Sequence, residues 1–175
     1  MPKSSLTSED QETLARLLTH IHTKDHGFIP DPAYRALHKV VPWPAVEVLI
    51  HDQTGRFLLS YRDDDFVGWH IPGGFMRAGE TYQAACDRNV KKEQIATSVV
   101  NARLIATHTW GEGEHPFGYP ISLIIACQVT EKIVERDDLK WFRHIPPDII
   151  AEQHPIFLKN FQQWLKGDRP DAIIL

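Results

Sequence analysis

Cysteine and methionine are scarce, two of each in 175 residues, and long apolar runs are missing. Two cysteines cannot build the disulfide framework of a small secreted domain. Cys86 and Cys127 each sit in a stretch expected to be buried, where packing is the plain role. There is no Cys-x2-Cys pair among the ten scattered histidines and two cysteines, so no zinc site is expected. The apolar stretch from Ile121 to Ala126 is strand length, against the roughly 20 residues of a membrane-spanning helix, so no membrane association is expected. Positive charge is also short. A net charge of −4 and a pI near 6.2 leave no basic footprint for polymeric nucleic acid, although a small anionic ligand needs only local groups. The first dozen residues are polar and carry no apolar signal region, which points to a cytoplasmic protein. What is present, 42% hydrophobic residues, suits one globular domain with a sizeable core.

Leu14, Leu17, Leu18 and Ile21 fall three and four apart and predict an amphipathic helix over residues 8–22. Thr7 or Ser8 can cap it, answered by Asp10 or Gln11. Pro30, Pro32, Pro42 and Pro44 then reject a long helix and deliver the chain to its first strand. Ala45–His51 and Phe57–Tyr61 flank Asp52-Gln53-Thr54-Gly55 and read as a hairpin. A short strand is expected at Trp69–Ile71, a helix at Thr81–Gln94, strands at Arg103–Trp110, Ile121–Thr130 and Leu139–Arg143, and a closing helix at Pro155–Lys166. Strands and helices in this order predict an α/β fold, a sheet sandwiched by helices.

The stretch from Trp69 to Ala96 holds Pro72-Gly73-Gly74, then Glu80, then Arg88 and Glu93. In register, Gly74, Glu80, Arg88, Val90 and Glu93 fit Gly-x5-Glu-x7-Arg-Glu-apolar-x-Glu-Glu-x-Gly-apolar, whereas Asn89, Lys92, Ile95 and Ala96 depart from it. The stretch therefore resembles the Nudix box of enzymes that hydrolyse nucleoside diphosphates linked to another group. The resemblance runs from about Ala45 to Trp164 and implies a Nudix-type α/β/α sandwich with a mixed sheet at 45–175. Residues 1–44, a helix and a Pro-rich connection, form an N-terminal extension outside it.

The resemblance also implies a chemistry. The Gly73 carbonyl and Glu93 would hold Mg²⁺, with Mn²⁺ as an alternative, and Glu112 or Glu114 in the loop Gly111–Pro120 would complete the shell. Glu80 and Arg88 would brace the loop and orient the ligands. Residues 89, 92 and 93 share one helix face; three Glu in the family, they read Asn89, Lys92 and Glu93 here, and the formal charge of that face falls from −3 to 0. A multi-metal site is therefore not expected, and one Mg²⁺ keeping several waters is the reading that remains. Lys92 and Arg62 would contact the diphosphate. Asp63-Asp64-Asp65 could imitate a metal site, but a solvated loop is the plainer reading.

Losing the carboxylate after the box Arg and the first of the Glu-Glu pair is similar to GDP-mannose mannosyl hydrolases, as are the stretches VEVLI, GRFLLSYR and WHIPGG. Phe75 stands where those enzymes place a diphosphate-binding Arg, and Pro120-Ile121-Ser122 where they place a general-base His. His115 is then the candidate base. Trp69, Phe66, Trp110 and Phe117 could stack a base or fill the core. Two readings follow: a Mg²⁺-dependent hydrolase of a small nucleotide-type substrate such as a nucleotide sugar, with Glu93, His115 and Arg62 catalytic, or a catalytically silent Nudix-fold module that binds a nucleotide or metabolite. A homodimer through the N-terminal extension is left open.

Overall fold

A computed structural model describes residues 5–23, 29–64, 66–116, 118–150, 153–167 and 173–174. Helix α1, Ser8–Thr23, opens on a reciprocal cap: Asp10 N donates to Thr7 Oγ1 at 3.2 Å and Thr7 N to Asp10 Oδ2 at 2.9 Å. Its stripe of Leu14, Leu17 and Leu18 stays exposed. The Pro-rich connection contains a helix that its prolines did not suggest. This is α2, Asp31–His38, and it follows Pro30 with Pro32 in its first turn, the one place where a missing N–H costs nothing.

Strand β1, Pro44–Ile50, and β2, Phe57–Asp63, are joined by the expected turn. There Gly55 has a φ of 78° and Asp52 Oδ1 accepts from Thr54 N and Arg56 N. The hairpin reading fails beyond the turn. Only His51 and Phe57 bridge, and the two strands then part into different sheets. The separation allows both to be buried on two faces, which a single hairpin could not give. Strand β3, Val67–His70, and the three-residue β4, Gly73–Phe75, precede helix α3, Tyr82–Lys92, capped by Thr81 Oγ1 on Ala84 N. Then come β5, Val100–Thr109, β6, Ile121–Gln128, β7, Leu139–Phe142, helix α4, Gln153–Leu165, and a terminal β8, Ile173–Ile174, that the sequence reading did not include.

The larger sheet runs β4-β1-β6-β5-β8 and the smaller β3-β2-β7. β1 pairs with β6 in parallel and with β4 antiparallel, so the larger sheet is mixed. Side chains alternate along β1 and β6. Val46, Val48, Ile50, Leu123, Ile125 and Cys127 meet Ala85, Cys86 and Val90 of α3 in one core. Leu49, Ile124 and Ala126 meet Phe157, Leu158 and Phe161 of α4 in the other. Both cysteines are buried in the α3 core, in the packing role expected of them. The same alternation turns Glu47 and Ser122 toward the α4 side.

Candidate active site

The turn after β3 builds one wall. Pro72 O accepts from Val48 N, and Glu47 faces Gly73 across the β1–β4 ladder. That alternation places Gly73 in a non-hydrogen-bonded pair, leaving its carbonyl outside the ladder. A Cβ on Gly73 would lie 2.5 Å from Val46 O and 2.9 Å from Glu47 Oε2, so only glycine fits. Glu80 and Arg88 clasp each other at 2.7 and 2.8 Å, and Arg88 Nη2 also donates to Phe75 O at 2.9 Å. The pair thus braces the loop between β4 and α3.

These elements border a cleft of about 940 Å³. Of the residues singled out in the sequence, Gly73, Phe75, Lys92 and Glu93 line it from the box, Arg62 from β2, and Glu112, Glu114 and His115 from the loop before β6. Trp69 is not among them. It is buried against Tyr61 and Phe142, ring centroids 5.2 and 4.9 Å away, and belongs to the α4-side core. The correction follows from alternation on β3, which turns His70 to the cleft and Trp69 inward. Asp65 and Phe117 lie outside the described residues.

Several of these groups are already engaged. Arg62 holds Asp64 through two bonds, 2.9 and 2.5 Å, and its guanidinium lies 5.7 Å from the Phe66 ring centroid. Glu93 Oε2 accepts from Ser60 Oγ at 3.0 Å. Glu114 Oε2 accepts from Gly111 N. His115 stands 4.8 Å from the Trp110 ring and 6.2 Å from Phe75. Burial, with a lesser push from His38, holds its pKa down to about 4, so at neutral pH it is an uncharged and weak proton acceptor. Asn89 is buried; its Nδ2 donates to Ala85 O and its Oδ1 would touch a Cβ on Gly74.

Three further cleft residues escaped the sequence reading. Glu47 is buried in β1, and desolvation outweighs the Ser122 hydrogen bond to push its pKa up to about 7. His70 is buried, its Nδ1 unpartnered among the described residues, with its pKa held near 4 chiefly by burial. His154, on α4, accepts from Ile71 N at Nδ1 (3.4 Å); burial first, then the neighbouring His70 and His115, lower its pKa to about 3. One signal was available: an acid inside the apolar run AVEVLI is out of place unless it does something.

No group of three or more His, Cys, Asp or Glu suited to a metal occurs among the described residues. The sequence does carry one His-x3-His pair, His22 and His26, which the expectation of no zinc passed over; those side chains lie outside the described residues. The Gly73 carbonyl and the Glu93 carboxylate, both hard oxygens on one cleft, do fit a single Mg²⁺ whose remaining positions go to water and phosphate. They do not form a protein-only cage.

A NUDIX domain model matches residues 41–165. The chain belongs to the NUDIX domain family. An ADP-ribose pyrophosphatase of Methanocaldococcus jannaschii is 26% identical over 133 residues, covering 72% of this chain and 76% of that protein. A UDP-X diphosphatase superposes with a TM-score of 0.62 at 16% identity, covering 100% of this chain and 89% of the other. A NUDIX hydrolase from Nitrosomonas europaea gives 0.62 at 20% identity, over 78% and 79% of the two chains. These structural likenesses establish the NUDIX fold. The matched domain begins after α2, so the extension packs on the family domain from outside it: His38 lies 4.3 Å and Tyr34 6.2 Å from the Phe75 ring. Among the described residues no helix is long and apolar enough to cross a membrane.

Proposed function

We propose that the cleft hydrolyses a nucleoside diphosphate linked to another moiety, a nucleotide sugar or ADP-ribose-like compound, with the help of one Mg²⁺ or Mn²⁺. The observation that carries this reading is the convergence of Gly73, Glu93, Lys92 and Arg62 on one cleft in a NUDIX chain. A bound divalent ion would supply charge neutralisation for the departing phosphate oxygens. Gly73 O and Glu93 would hold it, with Glu112 or Glu114 within the same cleft. Lys92 extends an exposed cation from the end of α3, and Arg62 can trade Asp64 for a phosphate in the same two-pronged geometry. Phe75, in edge-on contact with Tyr34 and His38 of α2, offers an aromatic ring in place of the mannosyl hydrolases' Arg. The relatives' names favour ADP-ribose and UDP-linked compounds for the first trial, and the box losses favour GDP-mannose.

A second reading has its own observation. Asn89 is buried and bonded to Ala85 O, so the helix face offers Glu93 alone as a carboxylate; a silent NUDIX module that binds the same ligands without turnover would need no more. A product assay separates the two. The protein and Glu93→Gln are incubated with ADP-ribose, UDP- and GDP-sugars and nucleoside triphosphates across a Mg²⁺ series. Release of a nucleoside monophosphate means cleavage at phosphorus; release of free sugar and nucleoside diphosphate means cleavage at the sugar carbon. Either product, lost in Glu93→Gln, supports the hydrolase; binding without product supports the module.

A further inference from the structure

Glu47 and His154 present to the cleft a hydrogen-bond acceptor and a donor that face one another without meeting. Trp110 Nε1–H can only donate, and it donates to Ser122 Oγ at 3.0 Å. The Ser122 proton is therefore turned the other way, to Glu47 Oε1, also at 3.0 Å. That relay fixes the carboxylate and leaves Oε2 over. Among the described residues Oε2 accepts no hydrogen bond, and His154 Nε2 stands 3.8 Å from it. His154 Nδ1 already accepts from Ile71 N, so in the neutral ring the proton sits on Nε2 and points back toward Glu47. Glu47 is more than nine-tenths buried, as is His154, and both line the cleft. Both side chains keep about a tenth of their surface exposed, 11% each, so the unpaired acceptor and donor are open to a ligand in the cleft.

We propose that Glu47 and His154 together bind one hydroxyl of a sugar in the substrate, either the ribose of the nucleoside or the sugar linked to its diphosphate. The proposal rests on the reading of the cleft as a site for nucleoside diphosphate derivatives. An oxygen about 2.8 Å from each atom would stand to one side of the line between them, in the cleft that both residues line, provided it can donate to Oε2 and accept from Nε2. A hydroxyl does both. A phosphate oxygen cannot donate and would face a carboxylate. A metal ion would meet the N–H of His154 rather than a lone pair. Position also favours a sugar, because Glu47 lies directly across the ladder from Gly73, and in a nucleotide sugar the groups flanking the diphosphate are sugars.

The test is calorimetric, on the full chain with non-hydrolysable α,β-methylene ADP-ribose as probe, in Mg²⁺ and in EDTA. Two further probes lack the ring hydroxyls of the adenosine ribose or those of the terminal ribose. One of them binds the wild type about tenfold more weakly than the parent, and which one identifies the sugar. Glu47→Gln, which turns a donor toward the cleft, weakens the parent probe by a similar factor and adds no loss with that deoxy probe. Equal binding of all three probes by the wild type overturns the proposal without any variant. So does an equal effect of Glu47→Gln on all three. Mn²⁺ affinity by electron paramagnetic resonance is unchanged in Glu47→Gln; a drop makes Glu47 a metal ligand and overturns it too. If the wild type binds neither these probes nor α,β-methylene UDP- and GDP-sugars under either condition, the nucleotide reading of the cleft falls, and this proposal with it.

Discussion

Glu80 and Arg88 meet through both oxygens of one and two nitrogens of the other, at 2.7 and 2.8 Å, across the start of α3. Glu80 Oε2 also accepts from Arg77 N at 2.9 Å, and Arg88 reaches Phe75 O. One clasp therefore ties both ends of the loop 75–80 to the helix that carries Lys92 and Glu93. Arg88→Lys keeps the charge but cannot make the paired fork. We expect it to cost about 1–3 kcal/mol in urea unfolding, toward the lower end because the pair is partly solvated. Turnover or ligand affinity should fall further than stability does, because the loop positions Gly73 and Phe75. A variant with native urea stability and native ligand binding would show that the clasp is ornamental.

Stability should climb from pH 5 to about 7.5 and level off there. His70, His115 and His154 have pKa values lowered to about 4, 4 and 3, so below 6.5 the unfolded chain takes up protons that the native chain refuses. Their contribution is complete above the ordinary histidine pKa and is lost as pH falls toward 4. Glu47 acts in the opposite sense. With its pKa raised to about 7, the native chain keeps a proton that the unfolded chain releases from about 4.5 upward, so its own contribution declines through that window and is flat beyond it. Three histidines in the unfolded chain outweigh one glutamate in the native chain from about pH 4.5 to beyond 7, and the two effects nearly cancel toward pH 8. Urea midpoints at pH 5, 6.5 and 8 test this. At pH 8 Glu47→Gln should be more stable than the wild type, by on the order of 1–3 kcal/mol.

The box was legible because its spacing is dictated by backbone geometry: a Gly-Gly turn, a cap, then charges a helical turn apart. Gly73, Glu80, Arg88 and Glu93 were picked out by their register with the Nudix box, and in the fold Gly73 and Glu93 line the cleft and Glu80 bonds Arg88. The parting of β1 from β2 was not legible, since a turn motif records the turn and not which sheet each arm joins. α2 was hidden by prolines that mark both helix starts and helix breaks. Glu47, Ser122, His154 and Trp110 come from four separate elements, β1, β6, α4 and the end of β5, and no local spacing links them. Only the fold brings them together.

Trp69 is the counter-example among the aromatics, a core residue with 8% exposure and Lys140 Nζ 5.7 Å from its ring. Trp69→Phe should leave ligand affinity unchanged while lowering the urea midpoint modestly. Trp69→Ala should cost about 3–5 kcal/mol. Loss of ligand binding in a fully folded Trp69→Phe would return this side chain to the site.

Putting back the missing box carboxylate at position 89 looks like the direct way to strengthen a metal site, and the structure argues that it will fail. Asn89 is 1% exposed, its Nδ2 bonds Ala85 O at 2.9 Å, and its Oδ1 would be 3.0 Å from a Cβ on Gly74. Glutamate is one methylene longer, cannot donate to Ala85 O, and would bring a charge beneath Gly74 with no cation there to meet it. Asn89→Glu should therefore destabilise the fold by about 1–3 kcal/mol without tightening Mn²⁺ binding. Lys92 is different: it is exposed and lines the cleft. Lys92→Glu should leave the urea midpoint near native and raise Mn²⁺ affinity several-fold, because a carboxylate there adds to Glu93 instead of opposing the ion. Paramagnetic titration of the two variants beside urea unfolding decides the matter. Tighter Mn²⁺ binding in a stable Asn89→Glu would mean that the seat under Gly74 opens to the cleft, and that the metal site was weakened at 89 and not at 92.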